Sequence, residues 1–131
     1  MVWTNSRATA IILKDNKIVL IHRKRNGEEF WAFPGGSIEE NESKEEAVKR
    51  EVKEETNLDV LNLKFAFETV NQDGQKHFVY YCNCNNNELK LIGEEAEINS
   101  EHNWYNPEWV EIDKLPRLTV YPYVIKEKLV I

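Results

Sequence analysis

Phe33-Pro34-Gly35-Gly36-Ser37-Ile38-Glu39-Glu40-Asn41-Glu42-Ser43-Lys44-Glu45-Glu46-Ala47-Val48-Lys49-Arg50-Glu51-Val52-Lys53-Glu54-Glu55-Thr56-Asn57-Leu58 is the stretch around which the rest of the chain is organised. Its first half reads as a glycine loop. Its second half predicts a helix from Lys44 to Thr56 with both ends marked: Ser43 and Glu46 make a capping box, and Asn57 can take the left-handed position after the last turn. On a wheel of about 100° per residue, Glu51 lies at zero, Glu54 near about −60° and Glu55 near about +40°, so three carboxylates share one arc. Ala47 falls inside that arc, and Val48 and Val52 lie just beside it. Glu46, Lys49 and Lys53 take the far side. The acidic arc therefore borders the buried face, whereas a solvated charge run would spread its carboxylates opposite the apolar residues.

Like charges crowded beside low-dielectric surface repel one another and require neutralisation. A hard divalent cation with oxygen ligands supplies it. Mg2+ suits a site that offers a few carboxylates plus the oxygens of a bound phosphate, with Mn2+ as an alternative. The net charge of −6 points the same way, because such a chain repels a polyphosphate unless cations bridge the two.

The spacing Gly36, Glu42, Arg50-Glu51-Val52-Lys53-Glu54-Glu55, then Thr56, Asn57 and Leu58, resembles the signature box of the Nudix hydrolases, MutT-like proteins, preceded by a Phe-Pro-Gly-Gly run common among them. Asn57 stands where that family usually has Gly, a mild departure because Asn tolerates the left-handed region best among non-glycine residues. The resemblance implies hydrolysis of a nucleoside diphosphate linked to another moiety, with water attacking phosphorus. It implies Glu54 and Glu55 as metal ligands, Glu51 as ligand or general base, and the Gly35 carbonyl as a further ligand. Glu42 and Arg50 become supporting residues, with Arg50 holding Glu42 and Glu51 in place. Related enzymes often supply one more acidic ligand from the later loop, here Glu97 or Glu101.

Working outward, 131 residues with 41% hydrophobic content fit one domain, residues 1–131. The N-terminal residues lack the regions of a signal peptide and the apolar runs are short, so the expectation is a cytoplasmic protein with no membrane partner. Cys82 and Cys84, two apart on a strand, read as reduced packing residues.

Ala8 to Leu13 and Lys17 to Lys24 predict a hairpin, the first run apolar enough to be covered on both faces. The second ends in His22-Arg23-Lys24-Arg25, where alternation sends Arg23 and Arg25 one way and His22 and Lys24 the other. One pair can face an anion, and family resemblance favours Arg23 as a phosphate contact. Asn26 to Glu29 reads as a loop. Asp59 to Val70 and Gln75 to Cys84 predict strands, with alternating Phe65, Phe67, Phe78 and Tyr80 as core. Asn85 to Asn103 reads as a long loop with one short strand at Leu89 to Ile92, followed by a strand at Trp109 to Ile112 and a helix from Tyr121 to Leu129.

Trp104 and Tyr105 are candidates to stack on a nucleobase, against the plainer reading of Trp104 as an edge of the core. The expected fold is an α/β/α sandwich around a mixed β-sheet. The expected partner is a small nucleotide, with no stable nucleic-acid binding and a homodimer left open. The competing class, a nucleotide-binding sensor without hydrolysis, is expected to have lost a glutamate of the set, and none is missing.

Overall fold

The computed structural model describes residues 6–71, 73–92, 100 and 102–129. β1 (Ser6–Lys14) and β2 (Lys17–Arg25) form the expected hairpin, turned by Asp15 and Asn16 at φ 51° and 62°, the left-handed pair that a two-residue hairpin turn needs. Their ladder is short, Leu13 facing Ile18 and Lys14 facing Lys17, and beyond it each strand takes other partners. β1 runs antiparallel to β4 (Gly35–Ser37) and parallel to β6 (Lys76–Cys84), whose outer edge carries β5 (Val60–Val70). β2 runs antiparallel to β3 (Glu28–Ala32) and to β7 (Asn103–Glu111), and β8 (Val120–Tyr121) lies parallel to β3. The result is one mixed, curled sheet.

Helix α1 (Lys44–Thr56) lays Ala47, Val48 and Val52 on one face of this sheet, against Ala8, Ala10, Ile12, Tyr80 and Cys82. The other face buries Ile11 and Val79 with Leu20, Val110, Val120 and Ile125, the last from α2 (Tyr123–Lys128). Residues 8–12 are therefore buried without a break, as the apolar run required for a strand covered on both sides. The capping box forms, with the Glu46 amide donating to Ser43 Oγ and the Ser43 amide to Glu46 Oε1, each at 3.1 Å. Asn57 sits at φ 69° and donates its amide to the Lys53 carbonyl, closing the helix.

Several boundaries differ from expectation. Asn26 and Gly27 turn at φ 50° and 84°, so Glu28 and Glu29 open β3 rather than belonging to a loop. Gly35 to Ser37 form β4 instead of a loop. β7 begins at Asn103, six residues before the expected strand, and ends at Glu111, because Ile112 starts a 310 turn over Ile112–Arg117. Pro107 hid this strand, yet it is tolerated because, among the described strands, β7 pairs with β2 alone and is an edge. Residues 89–92 form no strand. The last helix is shorter than expected, with Tyr121 in β8 and Pro122 as N-cap. A register shift between Phe65 and Phe67 breaks their alternation: Phe67 joins the second core cluster, whereas Phe65 is 52% exposed and meets Tyr80 edge-on. Cys82 and Cys84 are free thiols, and burial pushes Cys82 up to about 12.

Candidate active site

Two glycines bring backbone against the acidic face of α1. A Cβ on Gly35, at φ 151°, would lie 2.2 Å from the Ala8 carbonyl oxygen, and one on Gly36 would lie 2.3 Å from the Glu51 carboxyl carbon. Gly35 therefore excludes any side chain, and a side chain at Gly36 would displace the Glu51 carboxylate. The Glu51 carboxylate rests on the bare face of Gly36, and the Gly35 amide donates to Glu55 Oε1 at 2.8 Å.

Arg50 ties the preceding loop to the helix. Its Nε and Nη2 donate to the two oxygens of Glu42 at 2.8 and 3.0 Å, Nη1 donates to Glu51 Oε1 at 2.7 Å, and Nη2 also reaches the Ser37 carbonyl at 3.0 Å. Glu39 and Glu54 lie farther out, at 3.8 and 3.9 Å. The bidentate bond to Arg50, chiefly, holds the Glu42 carboxyl below the usual range, and the same bond raises the Arg50 pKa. Glu42 also accepts the Glu39 amide at 3.0 Å, so the loop is closed on itself.

Among the described residues, no three carboxylates converge on one point at metal-binding distance. Arg50 and the Gly36 face draw Glu51 one way, and the Gly35 amide draws Glu55 another. The donor set still fits a hard cation: three carboxylates within two helical turns, beside backbone that two glycines keep bare, with oxygen as the only ligand type. Glu97 and Glu101 lie outside the described residues.

Arg23 stands nearby on β2. Its Nη2 donates to Asn103 Oδ1 at 2.7 Å, its guanidinium carbon lies 3.8 Å from the centre of the Tyr105 ring and 5.5 Å from that of Phe30, and its buried Nε has no partner among the described residues. Burial lowers its pKa, opposed by Tyr105 and by the charge of Glu55, which places the guanidinium within electrostatic reach of the acidic face. The other pair points away. His22 stacks on Trp31 at 4.3 Å, meets Trp104 edge-on at 5.0 Å, and holds Glu108 and Glu29 at 2.7 and 2.8 Å.

Tyr105 and Trp104 therefore part company. Adjacent on a strand rather than sharing a loop, they face opposite sides, Tyr105 with Arg23 and Trp104 with His22 and Lys24. Trp104 meets His22 edge-on and Lys24 over its ring, whereas Tyr105 lies beside Arg23, so the two rings do not share one side of the strand. Sequence reasoning missed Asn103, which orients Arg23, and Arg7, whose Nη2 lies 3.4 Å from the Gly35 carbonyl. Asn103 carried a signal in its alternation with Tyr105 ahead of Trp109, masked by Pro107. Arg7 carried none, since only the pairing of β1 with β4 places it there.

A family profile described as NUDIX domain matches residues 4–126. The chain belongs to the Nudix hydrolase family. It is 38% identical over 111 residues to the ADP-ribose pyrophosphatase of Methanocaldococcus jannaschii, covering 82% of this chain and 62% of that protein. It is 39% identical over 67 residues to the 8-oxo-dGTP diphosphatase of Buchnera aphidicola, covering 50% of this chain and 51% of that protein. The Nudix chain described here thus spans less than two thirds of the length of either relative. The crystal structure of the MutT NUDIX hydrolase from Burkholderia pseudomallei shares its fold at a TM-score of 0.67 and 21% identity, over 95% of this chain and 97% of that one.

Proposed function

We propose that this Nudix domain hydrolyses a phosphoric anhydride bond in a nucleoside diphosphate linked to another moiety. The observation that carries the proposal is the arrangement around Gly35 and Gly36, where side-chain-free backbone, Glu51 and Glu55 meet while Arg50 fixes Glu42 and Glu51. The relatives named as an ADP-ribose pyrophosphatase and an 8-oxo-dGTP diphosphatase act within this class of substrate.

In this reading Glu54, Glu55 and the Gly35 carbonyl hold Mg2+ or Mn2+, with Glu51 as a further ligand or as the base that takes a proton from the attacking water, and with Glu97 or Glu101 as an added ligand. Such a cation, when bound, neutralises charge developing on the phosphoryl oxygens. Arg50 and Glu42 act by positioning, since the guanidinium spends its donors on Glu42, Glu51 and the Ser37 carbonyl. Arg23 is the phosphate contact in this reading, and Tyr105 backs it. Among the described residues no helix is long and apolar enough to cross a membrane. We take this Nudix domain to act in the cytoplasm on small nucleotides, alone or as a homodimer.

The test is a panel of nucleoside triphosphates, sugar nucleotides and dinucleoside polyphosphates with Mg2+ or Mn2+, scored for phosphate and pyrophosphate release. Glu54→Gln is expected to lower kcat by about two to four orders of magnitude with the fold intact, the range that removal of a catalytic ligand or base produces. A Glu54→Gln enzyme with near-normal Mg2+-dependent turnover would overturn the assignment. Binding of nucleotides without turnover of any would favour the sensor reading.

A further inference from the structure

Arg7 is the misfit in the site. It is half-buried on β1, between Ser37 of β4 and His77 of β6 in register, and its Nη2 lies 3.4 Å from the Gly35 carbonyl oxygen. In a chain of net charge −6 it pairs with no carboxylate among the described residues. Arg50, by contrast, is shared among Glu42, Glu51 and, more distantly, Glu39 and Glu54.

Nor does the neighbouring imidazole neutralise it. Asn71 Oδ1 accepts the Gln75 amide at 3.1 Å, which turns Asn71 Nδ2 toward His77 Nε2 at 3.1 Å and makes that nitrogen an acceptor. The ring proton then lies on Nδ1, facing Thr9 Oγ1 at 3.4 Å, so His77 is neutral. Burial, reinforced by the charge of Arg7, keeps it so. A guanidinium held by one long bond to a carbonyl is easily released.

Its position gives the reason. Gly35 is held from two sides, its amide by Glu55 and its carbonyl by Arg7, so one residue links the guanidinium to a carboxylate of the helix. That carbonyl is the oxygen assigned above to the metal, and a guanidinium and a divalent cation repel each other when they share it. We infer that Arg7 is a displaceable cation of the site, which rests on the Gly35 carbonyl in the metal-free protein and, on release, contacts the diphosphate of the substrate. The inference rests on the metal-dependent phosphate chemistry proposed above. It makes Arg7 a second anion contact besides Arg23, on a different strand.

The experiment measures two affinities by calorimetry in wild type, Arg7→Ala and Arg7→Lys: Mn2+ alone, and methylenediphosphonate, a diphosphate that cannot be hydrolysed, in saturating Mg2+. Arg7→Ala is expected to bind Mn2+ about threefold to tenfold more tightly, because a competing positive charge is gone. The same variant is expected to bind the diphosphonate about tenfold or more weakly, the loss of one charge-assisted contact. Arg7→Lys keeps the charge and most of the stem, so it is expected to fold normally and to lie between wild type and Arg7→Ala in diphosphonate affinity. Unchanged Mn2+ affinity or unchanged diphosphonate affinity in Arg7→Ala overturns the inference. A lowered melting temperature with both affinities unchanged makes Arg7 a structural prop and overturns it as well. Failure of the wild type to bind either probe is a different result, which overturns the proposed function and this inference with it.

Discussion

Arg50 and Arg23 border the same acidic face and are satisfied in opposite ways. Arg50 meets a bidentate carboxylate, a second carboxylate and a backbone carbonyl, and its positive charge is more than matched. Arg23 has one amide oxygen and two aromatic rings, with a buried Nε left over. A guanidinium with four of its five donors already bound is tied to its partners and acts by positioning them. A desolvated guanidinium without a carboxylate raises the free energy of the empty protein, and an anion that arrives removes that cost. In an acidic chain, an arginine left under-satisfied is the one that would gain most from an arriving anion.

The comparison breaks most visibly at Arg50. Arg50→Ala strands Glu42 and Glu51 together, and is expected to lose about 2 to 4 kcal/mol of stability in urea unfolding, with turnover falling as Glu51 drifts. Arg50→Lys is expected to recover less than half of that loss, since a lysine lacks the fork. A loss below about 0.5 kcal/mol would reduce this network to a solvated surface pair.

Arg23→Ala is expected to behave in the reverse way. KM should rise by the equivalent of about 1 to 3 kcal/mol, with the melting temperature within a few degrees of wild type. Early melting with unchanged KM would make Arg23 a structural residue like Arg50 and erase the contrast.

Acid separates the Arg50 network from the buried histidine beside Arg7. His77 is depressed from 6.5 to about 4, so its neutral form stabilises the fold fully above about pH 6.5, and that stability is lost as pH falls toward 4, an effect of up to about 2 kcal/mol. Glu42 lies below its ordinary 4.5, so the contribution of its bond to Arg50 persists above that value and is lost only as pH falls through the lower pKa of the folded state. Unfolding free energies measured from pH 7 to 3 are expected to fall in both windows. His77→Gln should flatten the upper one and Glu42→Gln the lower. A Glu42→Gln variant that flattened the upper window instead would count against the assignment.

The smallest expected effect is at Asn57. Its left-handed backbone favours Gly, but its side chain also donates to the Glu88 carbonyl at 2.9 Å, a bond that Gly forfeits. Asn57→Gly is therefore expected to stay within about 0.5 kcal/mol of wild type, and Asn57→Val to lose about 1 to 2 kcal/mol in thermal melts. Equal melting temperatures for the two variants would show that the left-handed cap carries no weight.

What was legible from sequence was whatever is fixed by neighbours in the chain. The capping box, the Asn57 stop and the shared arc of Glu51, Glu54 and Glu55 follow from contacts three and four residues apart, which a helix makes wherever it folds. The hairpin at Asp15 and Asn16 is equally local, and Asn26-Gly27 carries the same turn signal, which a loop over Asn26 to Glu29 overlooks. Tertiary structure alone decided what Arg23 and Arg7 touch. Arg23 reaches Asn103 across 80 positions and Arg7 reaches Gly35 across 28, through ladders whose register no local pattern encodes. Tyr105 was parted from Trp104 for the same reason: a strand sends adjacent side chains to opposite faces, and that this segment is a strand at all depends on its pairing with β2.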